Sequence, residues 1–283
     1  MKIGVSGASG NIGKQVIERL SALLPQDGLV AISRTPQPSG SVEGRVGDYD
    51  RPETLVQAYA GLDRLLIIPS ADLRYGVRSA QGIAAIDAAV EAGVKAVYLL
   101  SACGTREKQE PSMGAAYWQS EQRLIKSGIA SWTILRMNYF SETLVEEARM
   151  SFDRGALPGI AENEVAFVSR DDVAAAAAAA LTTDGHAGAI YNLTGPESLS
   201  GAERTEAISK AVGKPYGYAV FSEEQLRSGL AGAGLPDFVI DAVVSMKASQ
   251  AEGAYDIVTG DVEKLAGRAP KPLVDVLAEA FAR

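Results

Sequence analysis

The sequence predicts an α/β fold, in which a doubly wound parallel sheet is followed by a smaller α+β lobe. Up to about residue 135, short β-branched runs alternate with longer amphipathic segments, a rhythm typical of parallel strands joined by crossover helices. Shorter strands and helices follow Arg136, with no Pro/Gly/Ser-rich linker between the halves. The 283 residues suffice for one large domain, or for one domain with an intimate second lobe.

The first lobe, residues 1–136, contains six predicted strands. In chain order their sequences are KIGVSG, LVAISR, RVGDYD, DRLLIIPS, KAVYLLSA and SWTILR. The helices predicted between them are NIGKQVIERLSALL, PETLVQAYAG, GVRSAQGIAAIDAAVEAGV and the segment that contains YWQSE. Strands and helices in this order predict a doubly wound domain.

The second lobe, residues 137–283, has shorter elements. They are the helix FSETLVEEARMS, the short strand EVAFVS, the helix RDDVAAAAAAALTT, the strand AIYNLTG and a helix-rich tail. Asp171 and Asp172 supply negative charge for a helix start. The seven alanines that follow therefore predict a buried, closely packed helix, and we expect some segments of this lobe to return to the first one.

The composition excludes several classes of protein. With 47% hydrophobic and 22% charged residues the chain is an ordinary soluble globular protein. The net charge of -8 argues against nucleic-acid binding. The N-terminal residues show no basic leader or long apolar stretch, so we expect a cytoplasmic protein without a membrane partner. A single cysteine, Cys103, allows no intramolecular disulfide, and a single histidine, His186, leaves no metal site to predict.

A glycine-rich turn follows the first predicted strand. Gly7, Gly10 and Gly13 form a G-x-x-G-x-x-G pattern that opens the first helix. Small residues allow backbone N–H groups to approach a pyrophosphate, which the positive end of the helix also favours. A glycine triplet alone is also compatible with a structural turn, but the strand-turn-helix context favours dinucleotide binding.

The end of the second predicted strand bears on cofactor choice. NAD-specific sites usually have an Asp or Glu here for the ribose hydroxyls, whereas this chain has Arg34. A cation suits the 2′-phosphate of NADP, so we expect NADP(H) to be preferred over NAD(H). The alternative is that Arg34 is a solvated loop residue.

Two residues after the third predicted strand are candidates for the adenine end of the cofactor. Asp48 and Tyr49 could flank the adenine ring. It is equally consistent with the sequence that Asp48 and Asp50 are turn and cap residues before Pro52 begins the next helix.

Several motifs in a fixed order resemble a known family. They are the glycine turn, GDYDRPETLVQAYAGLD, LLSA, LRMNYFSETL, VSRDDVAAAAAAAL, IYNLTGPESLS and VTGDVEKLAGR. Together they resemble the NmrA-like branch of the atypical short-chain dehydrogenases/reductases, above all the NAD(P)H:quinone oxidoreductases and triphenylmethane dye reductases. The resemblance implies a Rossmann-type lobe that binds the cofactor and a smaller C-terminal lobe that helps to bind substrate.

The resemblance also implies which residues contact the cofactor. They are Gly7, Ser9, Gly10, Asn11, Ile12, Gly13, Arg34, Asp48, Tyr49, Ile68, Pro69, Ser70, Ser101, Ala102, Glu121, Met137, Asn138 and Tyr139. The rule that ligands bind outside the carboxyl ends of parallel strands selects the same loops.

The segment YWQSE departs from the typical short-chain dehydrogenase pattern. Those enzymes pair a serine with a Y-x-x-x-K motif, whose lysine binds the ribose and lowers the pKa of the tyrosine. This chain has Ser101 and Tyr117, which we predict as catalytic candidates, but Glu121 replaces the lysine. A carboxylate near a tyrosine disfavours the tyrosinate. Alcohol oxidation and simple carbonyl reduction are therefore not expected, and a glutamate here fits the quinone and dye reductases of the family.

Four aromatic residues are candidates for the substrate site. Tyr75, Tyr117, Trp118 and Tyr139 could form a wall for a flat molecule. Packing in the core is the alternative, which is equally compatible with the position of Tyr117. Cys103 is interpreted as a buried, inert thiol.

The predicted function is an NADPH-dependent oxidoreductase that passes hydride to a quinone, a dye or another conjugated acceptor. Such acceptors take hydride readily, so positioning can supply most of the catalysis without a Tyr-Lys pair. The alternative is a non-catalytic NADP(H)-binding redox sensor. The expected partner is a small aromatic or quinone-like molecule, and the expected assembly is a monomer or a homodimer.

Overall fold

A computed structural model describes residues 1–24, 28–36, 42–108 and 112–282. Nine strands lie within these ranges. They are β1 (Ile3–Ser6), β2 (Leu29–Ser33), β3 (Glu43–Val46), β4 (Arg64–Ile67), β5 (Ala96–Ala102), β6 (Ser131–Met137), β7 (Ala156–Gly159), β8 (Ala189–Leu193) and β9 (Gly217–Val220).

Seven of these strands form one parallel sheet, in the order β3-β2-β1-β4-β5-β6-β8. The chain leaves β1 towards one edge and returns to β4 on the other side. The connections that follow β1 and β4 therefore run in opposite directions, and in such sheets this point forms a crevice at the carboxyl ends of the strands. The predicted doubly wound α/β fold is confirmed.

Helices cover both faces of the sheet. The described helices are α1 (Asn11–Ser21), α2 (Leu55–Tyr59), α3 (Val77–Glu91), α4 (Met113–Ile125), α5 (Ser141–Met150), α6 (Arg170–Thr182), α7 (Gly201–Val212), α8 (Glu223–Gly232), α9 (Asp237–Ala251), α10 (Asp261–Ala266) and α11 (Leu273–Phe281). In β4, Leu66 packs in the cluster with α1 and α6, whereas Leu65 and Ile67 pack in the cluster with α2, α3 and α4. Both faces of the strands are buried, which explains their continuous apolar sequences.

The alanine-rich segment forms α6, which packs directly against α1. Ser169 caps the helix by accepting a hydrogen bond from the backbone N–H of Asp172 at 3.0 Å. Asp171 lies in the first turn and forms an ion pair with Arg19 of α1. The predicted helix start is confirmed, and the alanine side chains allow the two helix backbones to lie close together.

The remaining helices and a small sheet build the second lobe. Strands β7 and β9 pair in parallel, and an apolar cluster that includes Leu144, Phe167, Ile208 and Leu277 lies among α5, α7 and α11. This lobe stands beside the carboxyl ends of β5 and β6, because α5 begins four residues after the end of β6.

Two elements differ from the sequence prediction. The segment AIYNLTG contains β8, which extends the main sheet to seven described strands instead of six by pairing with β6. The segment EVAFVS forms no strand. Its backbone N–H groups bond to three separate partners, the carbonyls of Leu199, Tyr255 and Tyr139, so no ladder with one neighbour can form.

Candidate functional site

The glycine turn between β1 and α1 is a close backbone crossing. Gly7 has a φ of 89°, which side-chain-bearing residues rarely adopt. A Cβ on Gly13 would lie 2.3 Å from the carbonyl oxygen of Gly7 and 2.7 Å from the Cα of Ala8. No acidic residue occupies the first turn of α1. The positive end of this helix can therefore bind an anion such as a pyrophosphate.

An open cleft of about 540 Å³ begins at this turn and runs along the carboxyl ends of the strands. Its volume lies in the range of ligand sites. Fourteen of the predicted site residues line it. They are Gly7, Ser9, Gly10, Asn11, Ile12, Gly13, Arg34, Asp48, Tyr49, Ile68, Pro69, Ser70, Tyr117 and Met137. Their contacts with a cofactor stay predictions.

The cleft has the shape and the donors that a dinucleotide needs. The glycine turn and the start of α1 lie at its floor, and Arg34 stands at the end of β2. Beyond β2 in the sheet, the segment that follows β3 contributes Asp48 and Tyr49. The positive end of α1 and the Arg34 guanidinium thus lie along one cleft and can both attract anionic groups.

Asp48 and Tyr49 also hold the loops of the cleft in place. The carboxylate of Asp48 accepts hydrogen bonds from the backbone of Asp50 at 3.0 Å and from Arg51 Nε at 3.2 Å. The Tyr49 hydroxyl donates to the carbonyl of Ile68 at 2.9 Å. Burial raises the pKa of Tyr49 above its ordinary value, so the hydroxyl remains a donor. The turn role that the sequence left open for Asp48 is therefore real, and it coexists with a position in the cleft.

Glu121 does not face the cleft, which corrects its prediction as a cofactor contact. Its side chain is fully buried. The carboxylate accepts two hydrogen bonds from Arg136, Nε at 2.9 Å and Nη2 at 2.6 Å, and a third from the Ser101 hydroxyl at 2.5 Å. Glu121 raises the pKa of the Arg136 guanidinium. These bonds join α4 to β5 and β6, and they involve both oxygens of the Glu121 carboxylate.

Four further predicted cofactor residues lie outside the lining of the cleft. Ser101 is fully buried and donates to Glu121, so it is also not placed as a catalytic group. Ala102 follows it in β5 and is absent from the lining. Asn138 donates to the carbonyl of Tyr255 at 3.1 Å. Tyr139 is buried and donates to Glu147 at 2.6 Å. The hydrogen bonds of Ser101, Asn138 and Tyr139 join the strand ends to neighbouring elements.

The predicted aromatic wall does not form. Of its four members only Tyr117 lines the cleft. Tyr139 is core, and burial raises its pKa well above the ordinary value. Trp118 is the next residue on α4 and so points to another side, where it lines a shallow surface depression with Lys108. Tyr75 is 68% exposed and lines a separate recess together with Phe238 of α9.

Cys103 is buried, as interpreted from the sequence. Burial raises the pKa of its thiol to about 12. The thiol therefore stays protonated at neutral pH and is a poor nucleophile.

The sequence missed Arg78, a buried arginine of α3 that lines the cleft. Its Nη1 donates to the Tyr117 hydroxyl at 3.2 Å, and its guanidinium lies 5.2 Å from the centroid of the Tyr117 ring. Its Nε donates to the carbonyl of Ser70 at 2.9 Å. Nothing in the spacing of the two residues signals this contact, since it depends on how α3 packs against α4. The only local hint is a basic residue in the first turn of the helix after β4.

A chain of polar contacts extends this wall. Gln81, also on α3, donates to Asp50 at 2.7 Å and accepts from the Ser70 hydroxyl. The loop after β3 is thereby joined to the loop after β4. Arg78 and Tyr117 continue the same chain of contacts towards the opposite end of the cleft.

Arg170 and Phe140 were also missed. Both line the cleft, and the Arg170 guanidinium lies 5.4 Å from the centroid of the Phe140 ring. Arg170 is the first residue of α6. The sequence marked this segment only as a helix start, and the place of Arg170 in the cleft depends on how α6 packs.

Neither a metal centre nor a membrane span is found in the ranges that the structure describes. No three His, Cys, Asp or Glu side chains there are grouped so that they could hold a metal ion. No described helix is both long and apolar enough to cross a bilayer.

Comparison with known proteins identifies relatives of the chain. A family model described as NAD(P)H-binding matches residues 7–184. The NAD(P)H azoreductase of Xenophilus azovorans is 31% identical over 93% of this chain and 92% of its own length. Quinone oxidoreductase 2 of Escherichia coli is 29% identical over 99% of this chain and 98% of its own.

Solved structures show the same relationship. The NADPH complex of the NADPH-dependent quinone oxidoreductase of Escherichia coli has a TM-score of 0.90 at 28% identity and covers 99% of both chains. The NADP(H) complex of the Citrobacter sp. triphenylmethane reductase has a TM-score of 0.88 at 28% identity, over 99% of this chain and 100% of that one. The resemblance read from the motifs is confirmed.

Proposed function

The chain belongs to the NAD(P)H-binding family and is an NAD(P)H-dependent oxidoreductase of its NmrA-like branch; we propose that it prefers NADPH and passes hydride to a quinone or another conjugated acceptor. The observation that carries the proposal is the state of Glu121. This carboxylate is buried against Arg136, so the residue four places after Tyr117 cannot bind the nicotinamide ribose as a Y-x-x-x-K lysine would. Acceptors that are easily reduced fit such a site.

The preference for NADPH rests on Arg34. This exposed side chain lines the cleft at the end of β2, where an acidic residue would favour NAD. A guanidinium can make two parallel hydrogen bonds to a phosphate, which makes the pairing strong and directional.

The other lining residues divide the work of binding. The glycine turn and the start of α1 would hold the pyrophosphate, and Asp48 with Tyr49 would border the adenine. Met137 and Phe140, at the end of β6, would border the nicotinamide, with Arg170 above them. When bound, the dinucleotide would supply the hydride, and the chain would orient it.

A panel of acceptors tests this function. Purified protein is mixed with NADPH or NADH and with quinones, azo dyes and triphenylmethane dyes, and the absorbance of the reduced cofactor is followed. We expect NADPH oxidation with at least one quinone and a higher kcat/KM for NADPH than for NADH. Tight NADPH binding without turnover of any acceptor would contradict the enzyme and favour a redox sensor. A cytoplasmic location and a monomeric or homodimeric state stay predictions.

A further inference from the structure

We propose that Arg78 is a positioning residue that aims the proton of Tyr117 at an acceptor oxygen, which adapts the site to quinones more than to cationic dyes. This inference rests on the function proposed above. Its starting point is the contact between Arg78 Nη1 and the Tyr117 hydroxyl at 3.2 Å in the wall of the cleft.

The direction of this hydrogen bond follows from the chemistry of the two groups. A guanidinium has only donors, so the Tyr117 oxygen must be the acceptor. The single proton of the hydroxyl is then turned away from Arg78. Tyr117 is half-buried and lines the cleft. The group that the cleft meets at this point is therefore a donor, and it suits an oxygen or nitrogen that accepts a proton.

Arg78 is held firmly enough to fix that direction. Its side chain is 8% exposed, and its Nε is bound to the carbonyl of Ser70, the third residue after β4. The stacking of the guanidinium on the Tyr117 ring, at 5.2 Å, restrains both partners. A donor that is oriented before the acceptor arrives needs little rearrangement during the reaction.

The pair stands where an acceptor would enter. Arg78 lines both the cofactor cleft and the neighbouring recess that contains Tyr75 and Phe238. These two aromatic side chains are 68% and 43% exposed, and they give the recess flat, apolar surfaces suited to a conjugated ring. Because Arg78 borders both spaces and contacts the Tyr117 hydroxyl, a ring in the recess would lie close to this pair.

The balance of the reaction distinguishes two classes of acceptor. For a quinone, the C–H bond of the reduced nicotinamide breaks and hydride reaches the quinone. The O–H bond of Tyr117 breaks as a quinone oxygen takes the proton, and solvent returns a proton to Tyr117. The sum is quinone, NADPH and H⁺ giving hydroquinone and NADP⁺. A cationic triphenylmethane dye needs no proton, because hydride on its central carbon gives the neutral leuco dye directly.

This difference supplies the test. Wild type, Tyr117→Phe, Arg78→Gln and Arg78→Lys are compared in steady-state turnover of a benzoquinone and of a cationic triphenylmethane dye. We expect Tyr117→Phe to lower kcat for the quinone about a hundredfold or more, the usual contribution of a positioned acid. Arg78→Gln should lower it about tenfold, with partial recovery in Arg78→Lys. Turnover of the dye should change less than about twofold in each variant.

The matched control is Arg123→Gln. Arg123 also joins α4 to α3, through an ion pair with Asp87, but it lies away from the cleft. Both rates should stay at the wild-type level. Thermal unfolding and NADPH binding of every variant are measured in parallel, and Tyr117→Phe keeps the aromatic ring, so a folding defect is recognised as such.

A second readout uses the quinone alone. Wild type should show a solvent deuterium isotope effect on kcat, and Tyr117→Phe should lose it. Equal losses for quinone and dye, or an isotope effect that survives in Tyr117→Phe, would overturn the inference while leaving the oxidoreductase intact. Absence of turnover in wild type with every acceptor would instead refute the proposed function.

Discussion

On two successive turns of the same helix, a side chain contacts an arginine with opposite consequences. On the first of these turns of α4, the Tyr117 hydroxyl accepts a hydrogen bond from Arg78 at 3.2 Å in the wall of the open cleft. One turn further on, Glu121 meets Arg136 in the core at 2.6 and 2.9 Å. In the first contact the Tyr117 oxygen accepts a hydrogen bond, so its own proton remains available. In the second, both oxygens of the Glu121 carboxylate accept hydrogen bonds from Arg136. The cation beside Tyr117 is therefore Arg78 of α3, whereas Glu121, four residues further on, has a structural role.

Substitution of the buried Glu121 should have the largest effect on the free energy of unfolding. Glu121→Gln leaves Arg136 without its charge partner, and breaking a buried pair in this way typically costs about 3–5 kcal/mol of the free energy of unfolding. Glu121→Lys should be worse, because it adds a like charge beside Arg136. Chemical denaturation measures both.

Glu91→Gln is the control for these variants. Glu91 is an exposed residue at the end of α3, and its substitution should change stability by no more than about 0.5 kcal/mol. A stable Glu121→Lys variant that gained alcohol dehydrogenase activity would contradict the assignment of Glu121 to structure.

A third arginine, Arg34, extends the comparison to the far end of the cleft. Because it is exposed, Arg34→Glu should leave the stability almost unchanged and act on binding alone. A lost charge-assisted contact is worth roughly 1.5–3 kcal/mol, so the KM for NADPH should rise about ten- to a hundredfold, with little change for NADH. Initial rates with both cofactors decide this. The same specificity change in Lys14→Glu, and none in Arg34→Glu, would move the 2′-phosphate site to Lys14.

The contact of the Tyr117 hydroxyl with Arg78 should contribute little to stability. Tyr117→Phe removes one hydrogen bond to a half-buried hydroxyl and keeps the ring on Arg78, so the free energy of unfolding should fall by about 1 kcal/mol or less. Denaturation alongside Glu121→Gln measures the contrast. Equal losses of unfolding free energy in Tyr117→Phe and Glu121→Gln would contradict the difference between the two contacts.

The smallest expected effect concerns the rate at which the Cys103 thiol reacts. Its thiol approaches the carbonyl of Arg136 at 3.6 Å, and its pKa of about 12 leaves almost no thiolate at pH 8. Iodoacetamide should label the native chain far more slowly than the denatured chain, as mass spectrometry can show. Labelling should become faster in Glu121→Gln, where local opening near Arg136 exposes the thiol more often, but not in Tyr117→Phe. Rapid labelling of the native wild type would contradict a buried thiol.

The parts of the site that depend on local sequence were predictable. The glycine turn requires glycines within seven consecutive residues, and strand ends can be read from where apolar runs stop. Arg78 and Arg170 could not be read in the same way, since they reach the cleft only through the packing of α3 and α6. Glu121 shows the same limit. Its spacing from Tyr117 suggested the cleft, but the partner that decides its role is Arg136, on a strand whose neighbour is known only once the sheet is assembled.

The bond between Glu121 and Arg136 also sets a limit on redesign. A Y-x-x-x-K motif cannot be restored in this chain by one exchange, because a lysine at position 121 would face Arg136 in the core. Exchanging both charges, with Glu121→Lys and Arg136→Glu, could keep an ion pair, but the new ammonium would be held by the strand and would not reach a ribose. In comparing related sequences, the residue four places after the tyrosine should therefore be considered together with its partner at position 136 before it is taken as a sign of dehydrogenase chemistry.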